Sequence, residues 1–115
     1  MSPTRGESAV RKLRKHAPIF SALGDETRLA ILTKLSGGSR FSIARLTEGS
    51  RLTRQAITKH LRVLQGAGLV RGVRRGRENL FELEPEPLDE ARRALDSISR
   101  QWDEALARLK SFVEE

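Results

Sequence analysis

The regular spacing of apolar residues near the end of the chain is the feature that most restricts its possible folds. Steps of three and four residues alternate along Leu88, Ala91, Leu95, Ile98, Trp102, Ala105, Leu109 and Phe112. This heptad pattern predicts one long helix from about Leu88 to Val113, with Leu106 and Val113 widening its apolar stripe. At 115 residues the chain has the size of one domain, which can cover only part of such a stripe. The helix either packs onto its own domain or, as we favour, pairs with its copy in a homodimer.

Charged residues divide the chain into blocks of opposite sign. Lys and Arg total 22 against 15 Asp and Glu, which gives a net charge of +7. Residues 49–77 contain basic side chains and no acidic ones, whereas residues 78–115 are predominantly acidic. The basic members of the central block are Arg51, Arg54, Lys59, Arg62, Arg71, Arg74, Arg75 and Arg77. Such concentrated positive charge predicts a polyanionic partner, and charge alone leaves nucleic acid and an anionic membrane surface open.

Several classes of protein are excluded by features that the sequence lacks. It has no cysteine, which excludes disulfides, thiolate metal sites and a cysteine nucleophile. It contains no apolar run near the roughly 18 residues of a membrane-spanning helix and no secretory signal, so we expect a cytoplasmic location and no membrane partner. A phosphate-binding loop, a cluster of metal ligands and a plausible Ser/His/Asp set are also missing. We therefore expect no enzymatic activity, no metal and no cofactor.

The first part of the chain predicts an arm followed by a helix. Residues 1–8 are interpreted as a flexible arm, and residues 9–115 as a single domain. A helix from Ala9 to Leu23 would place Leu13 and Phe20 on one apolar face. We assign both side chains to the dimer interface.

Start and stop signals divide the next residues into three further helices. Pro18 marks a kink or a fresh helix start within the first helical stretch. Residues that commonly cap helix N-termini precede each later apolar segment. They are Asp25 before a helix to Leu35, Ser42 before a brief helix from Ile43 to about Glu48, and Thr53 before a helix from Arg54 to Gly66. Gly49 and Ser50 predict a tight turn between the last two, so this segment has the form of a helix-turn-helix.

Two short strands follow this motif. Glycines at 66 and 68 end the helix, and Leu69 to Arg74 is interpreted as a strand in which Leu69, Val70 and Val73 supply the apolar contacts. Arg75-Gly76-Arg77 predicts a basic hairpin tip, from which Asn79 to Leu83 returns. Residues 70–83 would therefore form a wing. The predicted fold is mainly α with a small β-hairpin wing, a winged helix-turn-helix with N- and C-terminal dimerisation helices.

The helix over residues 53–66 carries one face of long hydrogen-bond donors. Ile57, Leu61 and Leu64 are expected to face inward, opposite the polar side. Donors of this length suit base edges and phosphates in a DNA major groove, and a basic wing suits the backbone or minor groove. The predicted DNA-binding residues are Arg51, Thr53, Arg54, Gln55, Thr58, Lys59, His60, Arg62, Arg74, Arg75 and Arg77. Which of them contact bases and which contact phosphates stays open.

Three residues have alternative roles. His60 either contacts DNA or caps the edge of the core. Arg28 either forms a structural ion pair, which we favour, or contacts a phosphate. Trp102 is interpreted as an interface anchor rather than as part of a ligand pocket. The predicted dimer interface consists of Leu13, Phe20, Leu95, Ile98, Trp102, Ala105, Leu106, Leu109 and Phe112.

Two segments resemble the ArsR-type family of bacterial and archaeal winged-helix regulators. Residues 22–28, ALGDETR, followed by Ile31 and Leu32, are similar to the entry of the family's second helix. Residues 52–70, LTRQAITKHLRVLQGAGLV, are similar to its recognition helix and the exit into its wing. The resemblance extends from about Phe20 to Phe112. It implies a homodimer paired through terminal helices, recognition helices in successive major grooves, and usually repression by blocking the promoter.

The chain departs from the family pattern at the metal sites. Ser42 and Ala44 stand where founding members carry a Cys-x-Cys motif, which excludes thiolate metalloid sensing. The terminal helix contains aspartates but no histidine, so the family's Asp/His zinc site is not expected either. Residues 102–109, WDEALARL, resemble a metal-free, autorepressor-like subgroup. Nothing in the residues identifies a small-molecule effector.

Two functions of different classes compete on these observations. The first is sequence-specific binding of promoter operator DNA by a homodimeric transcriptional regulator, interpreted as a repressor. The alternative is a protein-interaction module that pairs through its heptad helix, with the basic wing incidental. The acid-free central block favours DNA binding, and salt dependence would distinguish the two because phosphate contacts weaken steeply as ionic strength rises.

Overall fold

The structure, a computed structural model, describes residues 11 and 13–114 and shows an elongated, mainly helical molecule of 66 × 33 × 22 Å. Residues 11 and 13–15 are helical, and the predicted arm over residues 1–8 lies outside the described part. The later elements are α1 (Ala17–Leu23), α2 (Glu26–Leu35), β1 (Phe41–Ser42), α3 (Ile43–Thr47), α4 (Arg54–Gly66), β2 (Val70–Arg75), β3 (Glu78–Leu83) and α5 (Pro85–Glu114).

Each of the three predicted capping residues begins a helix. The Asp25 carboxylate accepts a hydrogen bond from the Arg28 backbone N–H at 3.0 Å. The Ser42 hydroxyl accepts from the Arg45 N–H at 3.2 Å, and the Thr53 hydroxyl from the Ala56 N–H at 3.1 Å. These bonds satisfy N–H groups that have no partner inside the helix, which confirms the predicted starts of α2, α3 and α4.

Prolines begin two of the helices. Pro18 lies in the first turn of α1, which follows a turn at His16, so the fresh helix start is the correct alternative. The terminal helix was predicted from about Leu88, but α5 begins at Pro85 and contains Pro87 in its first turns. That boundary was wrong because first-turn residues need no intrahelical N–H bond, and proline fits there without loss.

The predicted hairpin is part of a three-stranded antiparallel sheet with the order β1-β3-β2. In the hairpin, Arg75 pairs with Glu78, so Gly76 and Arg77 form a two-residue turn. Gly76 has φ +61°, a left-handed conformation that favours glycine at this position. The third strand of the sheet is β1. It adds to the far edge of β3 by pairing Phe41 with Phe81.

The core lies where the helix-turn-helix meets the base of the wing. Its most deeply buried large side chains come from α2, α3, α4 and the approach to β2; they are Leu35, Leu46, Ile57, Leu61, Leu64 and Leu69. The predicted inward residues of α4 are therefore confirmed. Phe20 and Leu88 pack against this cluster from the two helices that flank it.

Among the described residues, the buried part of helix α5 lies near its beginning. Its 30 residues span about 45 Å. Ala91 and Ala94 are buried, and α1 packs against this part of α5. Further along, the apolar stripe is open: Trp102 is 65% exposed and Phe112 78% exposed. Within the described residues, the start of the heptad stripe is therefore buried, and the large apolar side chains farther along are mostly exposed.

Candidate nucleic-acid interface

Helices α3 and α4 pack against each other as a helix-turn-helix. Leu46 on α3 and Ile57 and Leu61 on α4 are almost fully buried. Residues 48–53 make the connection, and Thr53 then caps α4. Because the buried side chains hold one side of α4 against the core, its opposite side faces solvent along the whole helix.

The exposed side of α4 forms a shallow groove of about 290 Å³. Its lining consists of the outward residues that the sequence predicted, Arg54, Gln55, Thr58, Lys59 and Arg62. The Thr58 hydroxyl donates to the Arg54 carbonyl at 2.7 Å, so outward it offers only an acceptor. The groove therefore presents cationic and amide donors with one hydroxyl acceptor, which is suitable chemistry for base edges and phosphates.

A second depression, the wing cleft, lies between α4 and the sheet. It measures about 390 Å³ and is lined by Ile43, Thr58, Leu61, Arg62, Gln65, Gly72, Arg74, Asn79 and Phe81. Thr58 and Arg62 line both the wing cleft and the groove on α4. The exposed face of α4 is therefore continuous with one face of the wing.

Sequence analysis did not assign Gln65 or Asn79 to the interface. Gln65 follows Arg62 by three residues and so lies on the same side of α4. Asn79 pairs across the hairpin with Arg74, which places both side chains on one face of the sheet. Spacing along the helix could have identified Gln65, whereas Asn79 required the register of the strands.

The remaining predicted DNA-binding residues lie at the two ends of this surface. Arg51 is exposed just before α4, and Arg75 and Arg77 are exposed at the wing tip. In the described part of the chain, no ion pair neutralises any of the cations Arg51, Arg54, Lys59, Arg62, Arg74, Arg75 and Arg77. Thr53 is also exposed, but its hydroxyl is engaged in capping α4.

The structure does not bring His60 to the exposed face of α4. Its Nδ1 lies 3.3 Å from Nη1 of Arg28 and 3.7 Å from Oδ2 of Asp25. At 100° per residue, position 60 lies close to the buried Ile57 and far around the helix from Thr58. Of the two proposed roles for His60, the structure favours the edge of the core.

Arg28 connects three helices. Its Nε donates to the Ala22 carbonyl at 2.7 Å and its Nη2 to the Ser21 carbonyl at 3.3 Å, both at the end of α1. The Arg28 N–H, and secondarily its charge, holds the pKa of Asp25 below its usual range. The side chain is structural, as we favoured, but its main partners are carbonyl oxygens at the end of α1 rather than an acidic neighbour.

Arg71 belongs to the basic central block of residues 49–77, but ion pairs in the folded chain neutralise its charge. It lies across the hairpin from Glu82, with which it forms an ion pair, and its Nε lies 3.1 Å from Glu84. Arg40, which precedes β1, binds the other oxygen of Glu82 at 2.8 Å. Hydrogen bonds from Arg40 and then Arg71 hold the pKa of Glu82 below its usual range. This network connects all three strands at the base of the wing.

The lowered pKa of Glu82 should make the free energy of unfolding vary with pH in the acid range. Because its folded pKa is depressed, its stabilisation should be present above the unfolded glutamate pKa of about 4.3 and be lost as the pH falls through the folded value. We therefore expect Glu82→Gln to be less stable than the wild type near pH 7, with the difference shrinking at lower pH. Urea unfolding at several pH values measures this. The control is Glu48→Gln, at an exposed residue with no ion pair in the described chain; an E82Q deficit that persists unchanged at pH 3 would contradict the assignment.

The predicted dimer-interface residues range from partly buried to strongly exposed. Leu13 and Phe20 are partly buried within their own chain. Leu95, Leu106 and Leu109 are 49%, 47% and 60% exposed, and they share the face of Trp102 and Phe112. An apolar stripe of this length is typical of a surface that a partner covers.

Neither a metal site nor a membrane span is found among the described residues. Within residues 11 and 13–114, no group of three or more His, Asp or Glu side chains is arranged to hold a metal ion. None of the helices in that part has the length and apolar character needed to cross a bilayer.

Known proteins share both the sequence and the fold of this chain. The family described as "Helix-turn-helix domain" matches residues 23–73. An uncharacterized HTH-type transcriptional regulator, YuzN, of Bacillus subtilis is 43% identical, with the match covering 61% of this chain and 83% of that protein. The arsenical resistance operon repressor of the same organism is 29% identical over 72% of this chain and 79% of its own. The structure of an ArsR-like transcriptional regulator from Rhodococcus sp. RHA1 is similar at a TM-score of 0.82 and 40% identity, covering 91% of this chain and 95% of that one.

Proposed function

Because the chain belongs to the ArsR family of winged helix-turn-helix transcriptional regulators, we propose that it binds promoter operator DNA as a homodimer and represses transcription. The observation that carries the proposal is the continuous cationic surface of α4 and one face of the wing. Its cations Arg54, Lys59, Arg62 and Arg74 have no acidic partner in the described chain. Phosphate neutralisation by these cations supplies affinity, and a few side chains on α4 supply specificity.

Helix α4 is the element proposed to enter the major groove. Arg54, Gln55, Thr58, Lys59 and Arg62 line its exposed face. A major groove about 12 Å wide accommodates one helix with its side chains directed at base edges. The two-residue tip of the hairpin would then lie on the backbone or in the adjacent minor groove.

Pairing of two chains through α5 is supported by the open apolar stripe from Leu95 to Phe112. A two-fold dimer places two copies of α4 on one side of the duplex, and its half-sites are expected about one helical turn, roughly 10 bp, apart. Repression follows from occupancy, because a dimer bound across the promoter excludes the polymerase. On this proposal the protein acts in the cytoplasm, binds rather than catalyses, and needs no metal.

The experiment that tests this function is fluorescence anisotropy on a labelled fragment of the protein's own promoter and on a scrambled duplex. We expect a clear preference for the promoter. With about 6–10 phosphate contacts, affinity should fall by about 10³–10⁵ between 50 and 200 mM salt. Equal, weak binding to both duplexes, or binding that is insensitive to salt, would contradict operator recognition and favour the protein-interaction alternative.

A further inference from the structure

The wing cleft combines an apolar floor with a polar rim contributed by two elements. Ile43, Leu61 and Phe81 line the floor, where Leu61 and Phe81 are almost fully buried. The rim consists of Thr58, Arg62 and Gln65 on α4, and Arg74 and Asn79 on the wing. Because the cleft is open to solvent along one side, its form suits a chain that passes through it rather than an enclosed small molecule.

We infer that this cleft holds one sugar-phosphate segment of the bound DNA, so that a single phosphate is gripped by Arg62 of α4 and Arg74 of the wing at once. The inference rests on the proposed DNA-binding function and assigns a binding site within it. It adds the neutral amides of Gln65 and Asn79 to the residues that contact the backbone. The sugar-phosphate segment in the cleft would thus contact both α4, which reads bases, and the wing, which follows the backbone.

Charge complementarity supports a phosphate between the two walls. No acidic side chain lines the cleft, and neither arginine forms an ion pair in the described chain. Arg74 uses its Nε in a long bond of 3.4 Å to the Gly76 carbonyl, which leaves its terminal nitrogens for a ligand. Two guanidinium groups on opposite walls, with amide donors beside them, match the several acceptor sites of a phosphodiester.

The apolar floor fits the sugar that adjoins the phosphate. Deoxyribose presents C–H groups, which can pack on Ile43 and the ring of Phe81. A free inorganic anion would leave that floor in contact with water. The combination of floor and rim therefore suits a nucleotide backbone unit better than an isolated ion.

Gly72 provides the space that the Gln65 side chain occupies at this site. A Cβ at position 72 would lie 3.3 Å from Nε2 of Gln65 and 3.7 Å from the ring of Phe81. Gly72 pairs with Phe81 across the hairpin, two positions from the Arg74 and Asn79 pair. All four therefore lie on the cleft-facing side of the sheet, and the missing Cβ lets the Gln65 amide rest against it.

The inference is tested by scanning the bound promoter duplex with single methylphosphonates, each of which removes one phosphate charge. In the wild type, neutralising one phosphate position in each half-site should weaken binding about tenfold, as expected for loss of a charge-assisted contact. In Arg62→Gln and in Arg74→Gln, neutralising that same phosphate should cost clearly less than in the wild type, because one of the two arginines remains. In the double variant it should have almost no further effect. Arg77→Gln changes an arginine at the wing tip outside the cleft, so it should keep the full tenfold effect there.

A second pair of variants tests the amide of Gln65. Gln65→Glu places a carboxylate in the cleft and should reduce promoter affinity at least tenfold. Lys34→Gln makes the same change in net charge on an exposed residue outside the interface and should alter affinity less than twofold. Thermal unfolding of each variant checks that the fold is intact.

The possible outcomes separate this inference from the proposed function. If Arg62 and Arg74 couple to different, non-adjacent phosphates, or to none, while the wild type still binds its promoter, the shared site is wrong and DNA binding stands. Equal effects of Gln65→Glu and Lys34→Gln would likewise overturn the role of Gln65. If the wild type binds no DNA at all, the function and the inference fail together.

Discussion

The double substitution Arg54→Ala with Lys59→Ala is expected to weaken promoter binding about 100-fold while dimerisation and thermal stability stay unchanged. Both side chains line the exposed groove of α4 and have no acidic partner in the described chain, so their loss leaves no buried charge unpaired. Arg54 is also the first residue of α4, where a positive charge opposes the helix dipole. Removing it should therefore leave the helix no less stable. Anisotropy titration gives the affinity, and sedimentation gives the oligomeric state.

The control for this change removes two positive charges elsewhere on the surface. Lys34 on α2 and Arg93 on α5 are exposed and form no ion pair in the described chain. Lys34→Ala with Arg93→Ala lowers the net charge equally and should change affinity only a few fold through long-range electrostatics. If the two double variants bind DNA equally, or if both single α4 variants bind as the wild type does, α4 is not the recognition element.

A second large effect is expected from Leu106→Glu with Leu109→Glu, which places two carboxylates in the open stripe of α5. The variant should sediment as a monomer and bind promoter DNA about 100-fold more weakly. Because the two DNA-binding units of a dimer are linked, the dimer binds two half-sites about 10²–10⁴-fold more tightly than one unit binds one half-site. A monomer loses that gain. The fold should survive because Leu106 and Leu109 are 47% and 60% exposed and contribute nothing to the core.

The matched control introduces the same charge on the other side of the same helix. Ala107 and Ser111 are exposed, and each lies about 200° around α5 from Leu109. Ala107→Glu with Ser111→Glu should therefore leave the dimer and its DNA affinity intact. Monomers in both variants would indicate that the substitutions destabilise α5 in general, and not that the apolar stripe is the specific dimer interface. A dimer that persists in the Leu106 and Leu109 variant would show that pairing uses a different surface.

Much of the fold could be predicted from local sequence because the physics that sets it is local. Asp25, Ser42 and Thr53 each cap a helix through a bond to a backbone N–H only three residues ahead. The outward face of α4 follows from helical periodicity, since Ile57 and Leu61 must turn toward the core. The open stripe of α5 was visible in the same way, as a heptad series longer than one small domain can cover.

Assignments that depend on partners distant in the sequence were less secure. His60 was assigned to DNA binding because of its residue type and its place on α4. In the structure it lies beside Arg28, 32 positions away, on the side of α4 near the core. Arg71 resembles Arg74 in the sequence, yet strand alternation turns it to the opposite face, where it meets Glu82.

Sequence by itself determined the helices, their caps, the basic block and the apolar stripe, because each depends on residues within a few positions of one another. Only the tertiary structure decided which cations are free, since ion pairs form between chain segments that folding brings together. It also created the wing cleft, whose two arginines belong to different elements. A site divided between a helix and a sheet exists only once the packing of the core has fixed the distance between them.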